Sequence, residues 1–506
     1  MVKRWLVLMI VLPFVTGADY YVTNEPGSGS GTFEDPFRMD DLPRSDLTWC
    51  GLSSPAIEVL QPGDTLLFRE GTYFLDTCPE FMPDGRRQHI STIGYIRPAR
   101  DGLPEKKITF KAYQNEDVIL RKASGSQPLV GDNGKNNAKF EGFIIYSGTR
   151  FSGDGVEVAY NEFIGEYVNT SDNHDGIRIE GLNNGWVHHN IVRGVQGESP
   201  NSAGIKVYNA TDTVFEDNLI FNNTAGIFDK ESGIRNTYRR NCVFNNSYVD
   251  FYGNNQGLYS KYFIYDNVVE KGFHLHAYGD NTEIHDNLIL DGGLSGAWAG
   301  NVWNTKLWNN IVMNSDDTVV AYREPQNAFI DSEPTPHLRY MDYNIYTSIP
   351  EYKFGEYADT TRIFTIEEMQ DLGHELYSHV VTSSEIFVDE IDSELLPKWQ
   401  TGGRYNDALG PENVAEVMDL TRYGPQTNEA HRITEPTLLP VEVNPVVDLN
   451  SDGIVDILDV YDLLDHWGTT DNSLYDIAPF PIGDGVVDAK DLIFLAEHLG
   501  ETIEGN

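Results

Sequence analysis

Between Ser171 and Asn314 apolar and polar residues alternate in short runs, and the runs recur. One unit reads GIRIEGLNNGWVHHNIVRGV, the next GIKVYNATDTVFEDNLIFNN, the next GIFDKESGIRNTYRRNCVFNN. Later copies are GFHLHAYGDNTEIHDNLILDG and, more loosely, GAWAGNVWNTKLWNNIVMNS. Each copy has a glycine, a short alternating strand, a polar turn, and then Asn followed by an apolar pair. The Asn positions are 161, 190, 218, 241, 267, 287 and 310, separated by 29, 28, 23, 26, 20 and 23 residues. Repeats of that size built of strands and turns predict a solenoid.

In Gly176-Ile177-Arg178-Ile179-Glu180 the isoleucines share one face and the charges the other, and Gly204-Ile205-Lys206-Val207-Tyr208 repeats the alternation. One copy cannot bury its apolar face alone. Stacked copies can, through parallel in-register strands. Asn recurring at one turn suits such a stack, because its amide can bond the same turn of the next coil and because Asn tolerates left-handed backbone angles. The expected fold is all-β, a right-handed parallel β-helix, with an irregular β-sandwich as the alternative.

The ends of the chain read differently. Lys3 and Arg4 precede an apolar run from Trp5 to Val15, with small residues at Thr16 and Ala18, so residues 1–18 read as a secretory signal. The solenoid is then assigned to 19–424. Its entry, DYYVTNEPGSGSGTFEDPFR with LQPGDTLLFREGTY, resembles the capping segment of secreted β-helix proteins. The stretch TIEEMQDLGHELYSHV from Thr365, a helix start by its Thr and first-turn acids, resembles their closing segment. Residues 425–447 are Pro-rich and aperiodic, a linker. No later stretch is apolar for long enough to span a bilayer. The location expected is extracellular or attached to the cell surface.

From Val441 onward 15 Asp and Glu face one basic residue, Lys490. They are ordered. Asp448, Asn450, Asp452, Ile454 (by its carbonyl), Asp456 and Asp459 fall at positions 1, 3, 5, 7, 9 and 12 of a calcium loop, with Gly453 at the sharp turn. A second copy offers Asp484, Asp488 and Asp491, but Phe480 and Ile482 occupy its first two ligand positions, so calcium is expected in the first loop and not assured in the second. Twin half-motifs over 448–506 resemble a dockerin. That resemblance implies an α-helical calcium module, a cohesin partner, and an attached domain acting on polysaccharide.

The whole chain of 506 residues carries a net charge of −42, which argues against nucleic acid and anionic membranes as partners. Against that background the outward positions of the repeated strand are unusual. They hold Arg178 and Glu180, Lys206 and Tyr208, Phe228 and Lys230, His274 and His276, then Trp298. Arg193, Arg235, Arg239 and Arg240 fall in the same short run and are expected to extend one basic stripe. Bases with aromatic rings suit an acidic sugar chain. In Gly226-Ile227-Phe228-Asp229-Lys230, strict alternation would send Asp229 inward, so the strand is expected either to end at Phe228 or to bulge. Adjacent His188 and His189 are expected to point oppositely. Of three cysteines, Cys50 and Cys78 lie in the same irregular N-terminal region, where a disulfide between them is open, and Cys242 reads as a buried thiol.

Asp229-Lys230-Glu231-Ser232, with Asn236 and Arg239-Arg240-Asn241, resembles one coil of the chondroitinase-B-like alginate lyases, where a strand lysine is the base. The resemblance implies Lys230 as base, with Lys206 as its rival. The family's arginine, one coil on, has no counterpart near Tyr252 and Gly253. The chemistry expected is β-elimination from a uronate-containing polysaccharide. Lys230 or Lys206 would take the proton, Arg178 and the His274–His276 pair would assist, and Glu180, Tyr208, Phe228, Arg235 and Trp298 would bind substrate. Two alternatives stay open: a β-helix glycoside hydrolase using carboxyls such as Glu157, Asp175, Glu180 and Asp229, and a non-catalytic carbohydrate-binding or surface protein.

Overall fold

The computed structural model describes residues 17–38, 41–42, 55–75, 92–93, 96–114, 116–122, 130–146, 148–165, 174–231, 233–254, 261–275, 282–296, 305–313, 319–322, 338–356 and 359–380. In the C-terminal part it describes 449, 455, 457–464, 466–467, 487, 492 and 495–496. Residues 1–16, Cys50, Cys78, Ser232, His276, Trp298 and the linker lie outside this set. So do the calcium-loop residues Asp448, Asn450, Asp452, Ile454, Asp456, Asp484, Asp488 and Asp491.

The chain folds as a parallel β-helix. Among the described residues its strands form three long sheets of 12, 13 and nine strands. From Asp175–Glu180 onward the coils contribute one strand to each sheet in turn, as in Trp186–His188 to the 12-stranded sheet, Ile191–Arg193 to the 13-stranded sheet, and Ala203–Tyr208 to the nine-stranded sheet. Coil stacks on coil in register, as in Ile177↔Ile205↔Ile227↔Phe251↔Phe273. These side chains fill the interior, where rings of successive coils stack: Phe110 on Phe140 at 5.2 Å and Phe215 on Tyr238 at 4.8 Å.

The recurring Asn residues form a buried ladder. Each Nδ2 from Asn161 to Asn310 donates to the next Asn Oδ1 at 3.0–3.2 Å, and that Oδ1 also accepts the preceding Asn backbone N–H. The left-handed angle falls on the residue before each Asn, such as His189, Asp217, Arg240 and Asp286, and not on the Asn expected to take it. The ladder ends at Asn344, whose N–H donates to Ser378 Oγ at 2.8 Å and whose Nδ2 donates to the buried Glu375.

Both ends are capped. Asp19–Val22 pairs with Thr65–Phe68 at the entry. At the exit Asp359–Phe364 returns antiparallel to Tyr352–Glu356. Helix Ile366–Asp371 follows with a full capping box on Thr365 and Glu368, and His379–Val380 adds the last strand of the 13-stranded sheet. No helix among the described residues is long and apolar enough to cross a membrane.

Candidate functional site

The outer face of the nine-stranded sheet carries two adjacent columns. One runs Arg178, Lys206, Phe228, Tyr252, His274, and the other runs Glu180, Tyr208, Lys230. Asp175, at the start of its strand, turns to the same side. Its carboxylate accepts Arg178 Nη1 at 3.0 Å and stands 3.6 Å from Lys206 Nζ. Its Oδ1 accepts no hydrogen bond and is buried, and burial raises the carboxyl pKa against the pull of Lys206 and Arg178. Arg178 also donates through Nε to Glu180, which pairs with Arg150 on its other side.

Lys206 is the centre of this group. Its side chain is fully buried although it leaves the sheet outward. Its amine donates to the carbonyl of Asn201, in the long turn between the 13- and nine-stranded sheets. Asn201 Oδ1 accepts Lys230 Nζ at 3.2 Å, so one residue ties both lysines. Both amines lie over the rings of Tyr208 and Phe228 at 5.5–5.9 Å. Burial pushes the Lys206 pKa down to about 8. Asp175 opposes that shift, and Lys230 and Arg178 add to it. Burial together with Asp175 pushes the Tyr208 phenol up to about 12, which keeps it protonated at neutral pH.

Aromatic rings extend the site along the column. Phe228 meets Tyr252 edge-on at 4.6 Å, and Tyr252 stacks on His274 at 5.0 Å. Lys230 pairs in register with Asn254 on the next coil, so the arginine of the resembled lyases has no counterpart there.

Several expected site residues are elsewhere. Arg235 turns into solvent and pairs with Asp212, away from the lysines. Arg193 is buried against Glu162 on the 13-stranded sheet, while Arg239 and Arg240 pair with Glu216 and Asp217 on the 12-stranded sheet. The basic run in the sequence is therefore divided among three faces. Asp229 neither ends nor bulges its strand. Ala225–Lys230 stays in register and the carboxyl points into the core, fully buried, accepting from Tyr238 and Asn236. His188 and His189 come together, with Nδ1 atoms 2.9 Å apart, because the left-handed angle at His189 folds its ring back. Glu157 lies on the 12-stranded sheet between Lys107 and Lys139.

Sequence reasoning did not place Asn201 or Arg150 at the site, and it placed Asp175 only among spare carboxyls. The lengthened turn before Ala203 was the available signal for Asn201. Among the described residues no three His, Cys, Asp or Glu side chains gather as a metal-binding group. Of the residues expected in the calcium loops, Asp459 is described. It is buried, and its carboxylate accepts the Leu449 N–H at 2.7 Å.

Residues 134–343 match the family model described as periplasmic copper-binding protein (NosD). No curated protein matches the chain. Among solved structures the chain is similar to the pectate lyase Pel9A, at 15% identity over 63% of this chain and 82% of that one, with a TM-score of 0.38. It is similar to an alginate lyase of the PL6 family, AlyGC, at 12% identity over 77% and 59%, TM-score 0.40. It is also similar to the GH136 lacto-N-biosidase from Eubacterium ramulus, at 11% identity over 72% and 68%, TM-score 0.36.

Proposed function

We propose that this chain is a polysaccharide-degrading enzyme, a lyase that cleaves uronate-containing chains by β-elimination on the outer face of the nine-stranded sheet. The observation that carries this is Lys206, an amine with its pKa lowered to about 8 by burial, set among Arg178, Lys230 and Tyr208. A base near neutrality beside fixed cations is what removal of a proton next to a carboxylate requires.

In this reading the substrate carboxylate lies against Lys230 and Arg178 and displaces the Asn201 carbonyl from Lys206. Lys206 takes the proton from C5. The C–H electron pair becomes the C4–C5 double bond, and the C4–O bond breaks. The departing oxygen takes the Tyr208 phenol proton. The rings of Phe228 and Tyr252 give neighbouring sugars an apolar floor. The same reading gives the C-terminal module, with calcium in its first loop, the role of attaching the enzyme to a cohesin-bearing scaffold or surface.

The test is ultraviolet absorbance on alginate, pectate, chondroitin and neutral glycans, with the intact protein and with Lys206→Ala and Lys230→Ala. Unsaturated ends should appear on an acidic glycan, and the rate should fall at least ~100-fold in Lys206→Ala. Reducing ends without absorbance would mean a hydrolase. Retention on the glycan without either product would mean a binding protein.

A further inference from the structure

The 13-stranded sheet departs from the other two on its outer face. In seven of its short strands the second residue points inward: Val192, Ile220, Val243, Val269, Ile289, Val312 and Tyr346 all belong to the interior core. Alternation then sends their predecessors outward. These are Ile191, Leu219, Cys242, Val268, Leu288, Ile311 and Ile345, in register over seven coils. Beside them stand Phe221 and Phe244, stacked at 5.3 Å, then Leu290 and Met313. The equivalent outward positions of the 12-stranded sheet are polar or charged over much of their length, as at Glu216, Arg239, Glu283 and Lys306. An apolar column of this length does not belong on a solvated face.

It is not solvated. Ile311 and Met313 have no exposed surface, the other members of the column are buried, and Phe244 at its side is half-buried. They form one cluster, separate from the interior core, with Leu449, Val455, Val460, Leu463, Leu464, Trp467, Val487 and Leu495 of the C-terminal part. In helix Ile457–Leu464 and the turn after it, Val460, Leu463, Leu464 and Trp467 fall at spacings of three and four, one helical face. The lengths also correspond. Seven coils span ~29 Å at the spacing between strands, and an eight-residue helix spans ~12 Å, so the column needs both half-motifs to cover it.

We propose that this column is the docking face for the chain's own C-terminal segment, Leu449 to Leu495, so that segment and solenoid form one unit and not two bodies on a tether. The occupant is specific: the segment supplies the apolar face, and it lies in the same cluster as the column. The proposal is independent of the lyase reading.

Cys242 lies inside the column and reports on it. In the full-length protein, thiol labelling at Cys242, located by mass spectrometry, should be at least tenfold slower than in Leu463→Asp or Trp467→Asp. Leu288→Asp, made on the solenoid side, should release Cys242 in the same way while the far-ultraviolet signal of the β-helix is kept. A protease site placed in the linker 425–447 gives a second reading. After cleavage the two pieces should co-elute from a sizing column, and Leu288→Asp should separate them. Pieces that separate without any substitution, or a Cys242 that labels equally fast in every form, would overturn the proposal. So would protection that disappears on dilution together with a dimer, which would make a second copy the occupant.

Discussion

Tyr238 donates a 2.5 Å hydrogen bond to Asp229 in the interior of the solenoid, where both side chains are fully buried. Asn236 donates to the same carboxylate oxygen, and the other oxygen has no partner. Gly233 leaves the room: a Cβ there would stand 2.7 Å from Asp229 Oδ1. The carboxyl thus stays in the core at the cost of its charge. Burial raises its pKa to about 7, and the two hydrogen bonds only partly oppose this.

The first prediction follows from that shift. An acid with its folded pKa raised above its unfolded value of 3.8 contributes stability that is present below that value and lost as pH rises through about 7. The loss between pH 4 and pH 8 is on the order of 3–4 kcal/mol for a shift of this size. Asp250, also raised to about 7 by burial and by Glu270, acts in the same direction. In Asp229→Asn, denaturant unfolding should show roughly half the wild-type fall in stability from pH 5 to pH 8. An unchanged slope would mean that Asp229 is charged in the folded protein.

The Asn ladder gives the second. Asn241 Oδ1 accepts from the N–H and Nδ2 of Asn218, and its own Nδ2 donates to Phe215 O and Asn267 Oδ1, all in the interior. Asn241→Leu would leave the Asn218 N–H buried without a partner and take one acceptor from the Asn218 amide, at a cost of about 1–3 kcal/mol. The melting temperature should fall by several degrees more than for Asn209→Leu, on an exposed turn. Equal losses would show that the ladder adds nothing beyond an ordinary turn.

The third prediction concerns the pH dependence of the proposed elimination. A base must be unprotonated, so kcat/KM should rise with pH to a limb near 8, the Lys206 value. Asp175 holds that value up, and Lys230 holds it down. Asp175→Asn should therefore move the limb to lower pH, and Lys230→Ala should move it to higher pH. A purely structural role for either residue would lower the rate and leave the limb in place.

These residues also separate what the sequence makes legible from what it does not. The ladder is legible because every Asn does the same work at the same turn, so one pattern recurs. The inward Asp229 follows the alternation, but a carboxylate in a core reads as a rule broken, so the sequence points instead to a strand end or a bulge that the in-register strand does not have. The basic run from Arg178 to Arg240 is misleading because a coil passes through three sheets, and residues close in sequence then face different directions. Arg193 and Arg239 lie on strands other than that of Lys206. His188 and His189 meet because one backbone angle in the turn is left-handed, which strand periodicity does not encode. Asn201 reaches the lysines from a turn with no repeat. The outward column Ile191 to Ile345 was written in the sequence as the first member of each apolar pair after Asn, but its cover lies more than a hundred residues away.

The last prediction joins the calcium motif to that cover. The Asp459 carboxylate, in the first turn of helix Ile457–Leu464, accepts the Leu449 N–H and so ties the helix start to Leu449. In a calcium loop of the spacing read from the sequence, Asp448, Asp452, Asp456 and Asp459 would converge on one cation, and without it their mutual repulsion would oppose closure. Calcium removal should therefore loosen the helix that presents Val460, Leu463 and Leu464 to the solenoid. Chelation with EGTA should speed Cys242 labelling several-fold, and added calcium should reverse it. Titration calorimetry should show one strong calcium per chain, because Phe480 and Ile482 stand at ligand positions of the second loop. Asp452→Ala should reproduce the chelated state in the presence of calcium. If Cys242 stays protected in EGTA while calorimetry shows calcium leaving, the contact with the solenoid alone holds the helix, and the loop is not what orders it.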